Sequence, residues 1–272
     1  MKTWHLFAAV AAILLMIASC GPKELHSRAR DREIAIDGAY EDWQGALEFV
    51  EDANLSVGLM NDGEFLYVAL VAGDRMVRRQ IMMSGLYLWF DQDGNESKRF
   101  GIRYPIGLQE NAADPDSMMR EPNPEKMRTQ FQDEVKEMMV IGHDDRTWRR
   151  AETGAVRGIE VAAGGDRHML VLEYKVPIGR TGQYGYGIGS EPGAVIGVGL
   201  ETPEIDFKEM RRQRPGGGMP GGGMPGGGTP AGGMPGSDFP GGGMPDGGQR
   251  PERPEPIKLW AKVELAATWA TD

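Results

Sequence analysis

Cysteine is almost absent: Cys20 is the only one among 272 residues. No disulfide can therefore close within the chain, and no multi-thiolate metal centre can form. Histidine is scarce as well, at four. His143 and His168 are the two within the span expected to fold, and they are separated by a loop and a strand with no third ligand at zinc spacing. Positive charge is in deficit, with 30 Lys and Arg against 40 Asp and Glu for a formal net charge of −10. That balance argues against binding of nucleic acid or an anionic membrane surface by the folded part. The apolar run over residues 6–17 is shorter than the ~20 residues a spanning helix needs. No nucleophile stands beside a base, and no pair of acids stands out from a solvated surface, so the chain is not expected to be an enzyme.

What is present begins with an address. Lys2, the apolar run 6–17 and the ending Ile17-Ala18-Ser19-Cys20 form a signal peptide over residues 1–19. The ending resembles the bacterial lipoprotein box. That resemblance implies cleavage before Cys20, diacylglycerol on its sulfur and an acyl chain on the new amino terminus, with two or three chains giving firm anchoring. No thiol then remains for a disulfide, a metal site or a nucleophile. Gly21 stands where an aspartate commonly retains lipoproteins at the inner membrane, which points to the outer membrane. Residues 20–32, polar and charged, are expected to be a tether.

The folded part is organised around residues 64–105. In Phe65-Leu66-Tyr67-Val68-Ala69-Leu70-Val71 both alternating sets of side chains are apolar or aromatic, so neither face of this strand can be left in water. Asn61-Asp62-Gly63 before it and Asp91-Gln92-Asp93-Gly94-Asn95 after the strand at 86–90 are turn clusters. Further strands are expected at 33–36, 55–59, 99–104, 156–162, 169–176, 194–201 and 257–265. Trp43 is expected to plug one end of the sandwich. The fold class is all-β: an antiparallel β-sandwich of about nine strands over residues 33–266, with residues 267–272 a C-terminal tail.

Ile36-Asp37-Gly38, Asp42-Trp43, the run Asn61 to Leu70 and Gly85-Leu86-Tyr87-Leu88-Trp89-Phe90-Asp91 follow an order that resembles carbohydrate-binding module family 9 and its DOMON-type relatives. The resemblance covers residues 33–104 and, more weakly, 170–177 and 259–265. It implies a non-catalytic module that binds glycan, with structural calcium as an accompanying cofactor.

Two segments depart from the sandwich pattern. Asn123-Pro124-Glu125 gives a helix start, with Asn as N-cap and Pro at the first position. Met127, Phe131, Val135, Met138 and Met139 then recur on one face, predicting an amphipathic helical insertion over residues 123–142. Residues 214–255 repeat Gly-Gly-Gly-Met-Pro at a five-residue period, with Met219, Met224, Met234 and Met244 in register. Such composition predicts a disordered loop before the last strand. A spacer explains it; Cu(I) held by the thioethers is the alternative, and haem binding through His143 or His168 is another.

Sugar recognition needs aromatic faces and nearby polar side chains. Trp43 and Trp89 are expected in the core, and Trp148, Tyr184 and Tyr186 are the ligand-facing candidates. Asp91, Asp93, Asn95 and Glu96 place oxygens as a calcium loop begins, although the same residues serve a plain hairpin turn. The rival to a glycan-binding module is a structural or partner-binding envelope lipoprotein that uses the helix and the repeat as protein contacts.

Overall fold

A computed structural model describes residues 23–110, 131–144, 147–180, 182–203 and 255–267. The signal peptide with Cys20, the helix start at 123–130, the Gly-Met-Pro repeat and Trp269 all lie outside the described residues. Two sheets face each other. The seven-stranded sheet has the order β1 (Lys23–His26), β13 (Lys258–Glu264), β12 (Val195–Glu201), β6 (Tyr87–Asp91), β7 (Phe100–Arg103), β8 (Glu137–Ile141), β9 (Arg149–Glu152). The six-stranded sheet has the order β10 (Glu160–Gly165), β11 (Leu170–Pro177), β5 (Phe65–Ala72), β4 (Leu55–Asn61), β2 (Arg28–Ala29), with β3 (Leu47–Val50) also paired to β4. All pairings are antiparallel except β1 with β13 and β2 with β4.

Period-two alternation builds the core between the sheets. Leu66, Val68 and Leu70 of β5 and Leu170, Leu172 and Tyr174 of β11 meet Leu88 and Phe90 of β6, Phe100 and Ile102 of β7, and Ile196, Val198 and Leu200 of β12. The opposite face of β5 is covered too, as its all-apolar sequence requires. Tyr67 and Ala69 pack with Met60, Ile34, Ala46 and Trp43 in a second cluster, formed where residues 30–46 cross the outside of the six-stranded sheet. Trp43 therefore does not plug an end of the sandwich. It is fully buried on an outer face, with its ring over Gly58, where an added Cβ would come within 2.6 Å of Trp43 Cε3.

Glu173 of β11, fully buried, holds this strap in place. Its carboxylate accepts hydrogen bonds from Asp37 N (2.9 Å), Gly38 N (2.6 Å) and Trp43 Nε1 (2.7 Å). The stretch at residues 33–36, expected as a strand, joins no ladder. Its backbone bonds go to side chains instead, Ala35 N donating to Asp42 Oδ2 at 3.0 Å. Burial pushes the Glu173 carboxyl above its ordinary range, against the pull of the three donors.

Three other expectations are corrected. Residues 23–29 are not tether but edge strands, tied in by Leu25, which is buried in the main core. The inserted helix does not reach residue 142: a helical turn at residues 131–134 ends, and β8 follows with Met138 and Val140 buried and paired to β7. The apolar run Met138 to Ile141 satisfies either period, and the open edge of β7 selects the strand. Residues 149–152 form β9 on the edge of the same sheet. Strand β10 also begins later than expected, after Gly158 turns the chain at φ +85°.

One helix, α1 (Arg75–Ser84), was not expected. It carries the chain from the six-stranded sheet to the seven-stranded one. Asp74 caps it by accepting from Met76 N and Val77 N, and Val77 and Ile81 face inward at i and i+4. Buried Gln80 of this helix donates to Thr202 Oγ1 (2.8 Å) and Glu255 O (3.0 Å), and Thr202 Oγ1 accepts from Ile257 N. These bonds fasten the two ends of the segment that separates β12 from β13, which are antiparallel neighbours.

Candidate functional site

The strand ends at Phe100 and Ile141, with the loops beyond them, form a concavity of about 250 Å³. It is lined by Phe100, His143, Asp144, Arg149, Arg180 and Tyr186 together with Gly142, Gly185 and Gly187. Phe100, fully buried, stacks on His143 with ring centroids 5.7 Å apart and planes at 14°. His143 is fixed from its other side: Nε2 lies 2.9 Å from Ile188 O and 3.2 Å from Gly187 O. Both partners are carbonyls, so Nε2 carries the hydrogen. Gly187 sits too close to its neighbours for any side chain, since an added Cβ would lie 2.5 Å from Gly179 O. Arg180 reaches across to Asp144, Nη2 to Oδ2 at 2.7 Å, with the Asp144 side chain largely and the Arg180 side chain partly in solvent. The arrangement offers one aromatic side chain, a stacked ring pair and a set of charged donors and acceptors around a small hollow.

Of the three ligand-facing residues expected from sequence, only Tyr186 lines this hollow. Trp148 lies on the outer face of the seven-stranded sheet, packed on Tyr87 and Trp89 with both centroids at 5.3 Å. Tyr87 stacks on Trp89, and Arg103 and Lys98 lie over the two rings. Trp89 is thus buried not between the sheets but under Trp148, over Gly101. Tyr184 turns away: its hydroxyl donates to Glu64 Oε1 at 2.6 Å, and its ring meets Phe65 at 5.6 Å. The Glu64 bond holds the Tyr184 hydroxyl above its ordinary pKa.

The loop after β6 uses its first aspartate internally. Asp91, buried, accepts from Asp93 N at 2.9 Å through Oδ1 and from Ser97 N at 2.8 Å through Oδ2. Asp93, Asn95 and Glu96 are exposed, and Asn95 O lies against Gly197. Among the described residues no group of three or more His, Cys, Asp and Glu is placed to hold a metal ion. His168 lies at the turn between β10 and β11, where its backbone N–H donates to Asp166 Oδ1. Sequence reasoning did not single out Phe100, Asp144, Arg149 or Arg180, which line the hollow, and weighed His143 only as a haem ligand. Nothing in sequence spacing links Arg180 to residues 143–149.

No protein-family profile matches the chain, and no curated protein matches it. Among solved structures, the chain is similar to a carbohydrate binding module family 9 from Caldicellulosiruptor kristjanssonii, determined in complex with glucose and in complex with cellotriose. The first matches at 10% identity and TM-score 0.34 over 68% of this chain and 81% of that one. The second matches at 11% identity and TM-score 0.34 over 68% and 79%.

Proposed function

We propose that this chain is a non-catalytic glycan-binding module held at the bacterial cell envelope by lipid on Cys20. The observation that carries the binding half is the hollow beneath Tyr186. Its volume of about 250 Å³ falls just below the ~300–1,000 Å³ of pockets for drug-sized ligands, which suits a single sugar residue. Tyr186 supplies a face for the C–H side of a pyranose, and Asp144, Arg149 and Arg180 supply hydroxyl partners.

The anchoring half rests on residues 17–20, whose resemblance to the bacterial lipoprotein box implies lipid on Cys20.

Glycan-array binding of the purified protein, repeated with Tyr186→Ala, tests the site. Binding by the parent and its loss in the variant are expected, and silence of the parent across the array would refute the glycan reading. Release of the protein from the membrane fraction by Cys20→Ala tests the anchor. A variant that stays membrane-bound would refute it.

A further inference from the structure

The lining of the hollow runs against the charge of the protein. The chain carries −10 overall, yet among the described residues that line the hollow are two guanidinium groups, of Arg149 and Arg180, and one carboxylate, that of Asp144. We infer that the glycan unit taken here is an anionic sugar bearing a carboxylate, such as a hexuronate, with the ring against Tyr186 and the carboxylate on Arg180. This rests on the glycan reading above and names its ligand class.

The Arg180–Asp144 pair marks the position. Its N–O distance is 2.7 Å, but the side chains are 42% and 87% exposed. An ion pair so hydrated contributes little to the fold, so a ligand carboxylate can take the place of Asp144 without loss elsewhere. The group displaced is itself a planar, singly charged carboxylate, so the guanidinium fork meets an equivalent partner with two parallel N–H···O bonds. A neutral hexose brings only hydroxyls and cannot compete with Asp144 for that fork. Asp144 is therefore a built-in competitor: it holds Arg180 in position and yields only to an anion.

Titration of the purified full-length protein with glucuronate, glucose and acetate, followed by NMR at low ionic strength, reads this directly. Because the Arg180 guanidinium is open to the carboxylate of glucuronate and not to glucose, glucuronate is expected to bind tighter than glucose, with acetate alone far weaker than glucuronate. Arg180→Met should bring glucuronate down to the affinity of glucose. Asp144→Asn should tighten glucuronate several-fold relative to glucose, and it carries the test if the first variant does not fold. Equal affinity for glucose and glucuronate would overturn the inference and leave the glycan reading standing. Acetate binding as tightly as glucuronate would also overturn it, because the hollow would then be a simple anion site. Binding of neither sugar would overturn both readings.

Discussion

Replacing Glu173 by Ala removes the acceptor shared by three N–H donors of the strap. Two of them, Gly38 N and Trp43 Nε1, make buried bonds, and the Asp37 N bond is partly buried. A buried donor left unpaired costs about 1–3 kcal/mol, which puts the two buried donors at about 4 kcal/mol and leaves Asp37 N to rehydrate cheaply. Part of this is returned, because the fold no longer has to desolvate a carboxylate. The expected net loss is about 3 kcal/mol in urea unfolding followed by tryptophan fluorescence. Glu173→Gln keeps one acceptor oxygen and should lose less. The pH dependence has a definite sign. Burial raises the Glu173 carboxyl in the folded state, so the fold binds that proton more tightly than the unfolded chain does. The stability it contributes is complete below the unfolded value, about 4.3 for Glu, and is lost as pH rises through the folded value. The advantage of wild type over Glu173→Gln should therefore shrink between pH 4 and pH 7. A Glu173→Ala loss under about 1 kcal/mol, or an advantage that grows with pH, would refute the account of Glu173 as the anchor of the strap.

Other substitutions probe the same frame. Gly58→Ala would place a Cβ 2.6 Å from the buried Trp43 ring, and overpacking of this kind should cost about 1–3 kcal/mol in urea unfolding. Trp148→Ala strips the cover from Trp89 and removes two ring contacts; a loss of about 2 kcal/mol and a weakened near-ultraviolet dichroism signal are expected. Asp91→Ala deletes the acceptor of Asp93 N and Ser97 N, and melting should show a drop of about 1–2 kcal/mol, the same with and without added calcium. Stabilisation of the parent protein by calcium would contradict this and revive the loop as a metal site.

Where one period dominates, the strands were legible. The runs at 65–71, 86–90, 169–176 and 194–201 all lie in ladders within a residue or two of their expected limits. Legibility failed where a segment fits two periods or is too short to show one. Met138 to Ile141 was counted into a helix because Phe131, Val135 and Met138 share a face, and only the pairing of Arg103 with Met139 and Ile102 with Val140 decides the matter. Lys23 to His26 offers a single apolar residue, Leu25, which no window detects, yet it is pinned by Val263 across a parallel ladder. Helix α1 did carry a signal, an Asp74 cap followed by Val77 and Ile81 at i and i+4 and a stop at Gly85.

The site was harder to read because a β-sandwich assembles its loop end from segments distant in sequence. Trp148 and Tyr186 looked equivalent, as aromatics in polar or glycine-rich loops. Register separates them. Arg149 pairs with Val140 at the start of β9, which leaves Trp148 over Tyr87 and Trp89 on the sheet's outer face, while Tyr186 hangs from a loop of the other sheet and lines the hollow with Arg180. Tyr186, half-buried, lies on the wall of the hollow beside charges that only tertiary structure gathers. The residues that make the hollow selective, Arg180 and Asp144, lie at the ends of two different sheets. Their pairing is fixed by how those sheets stack, a property of the whole fold that no local pattern around either residue encodes.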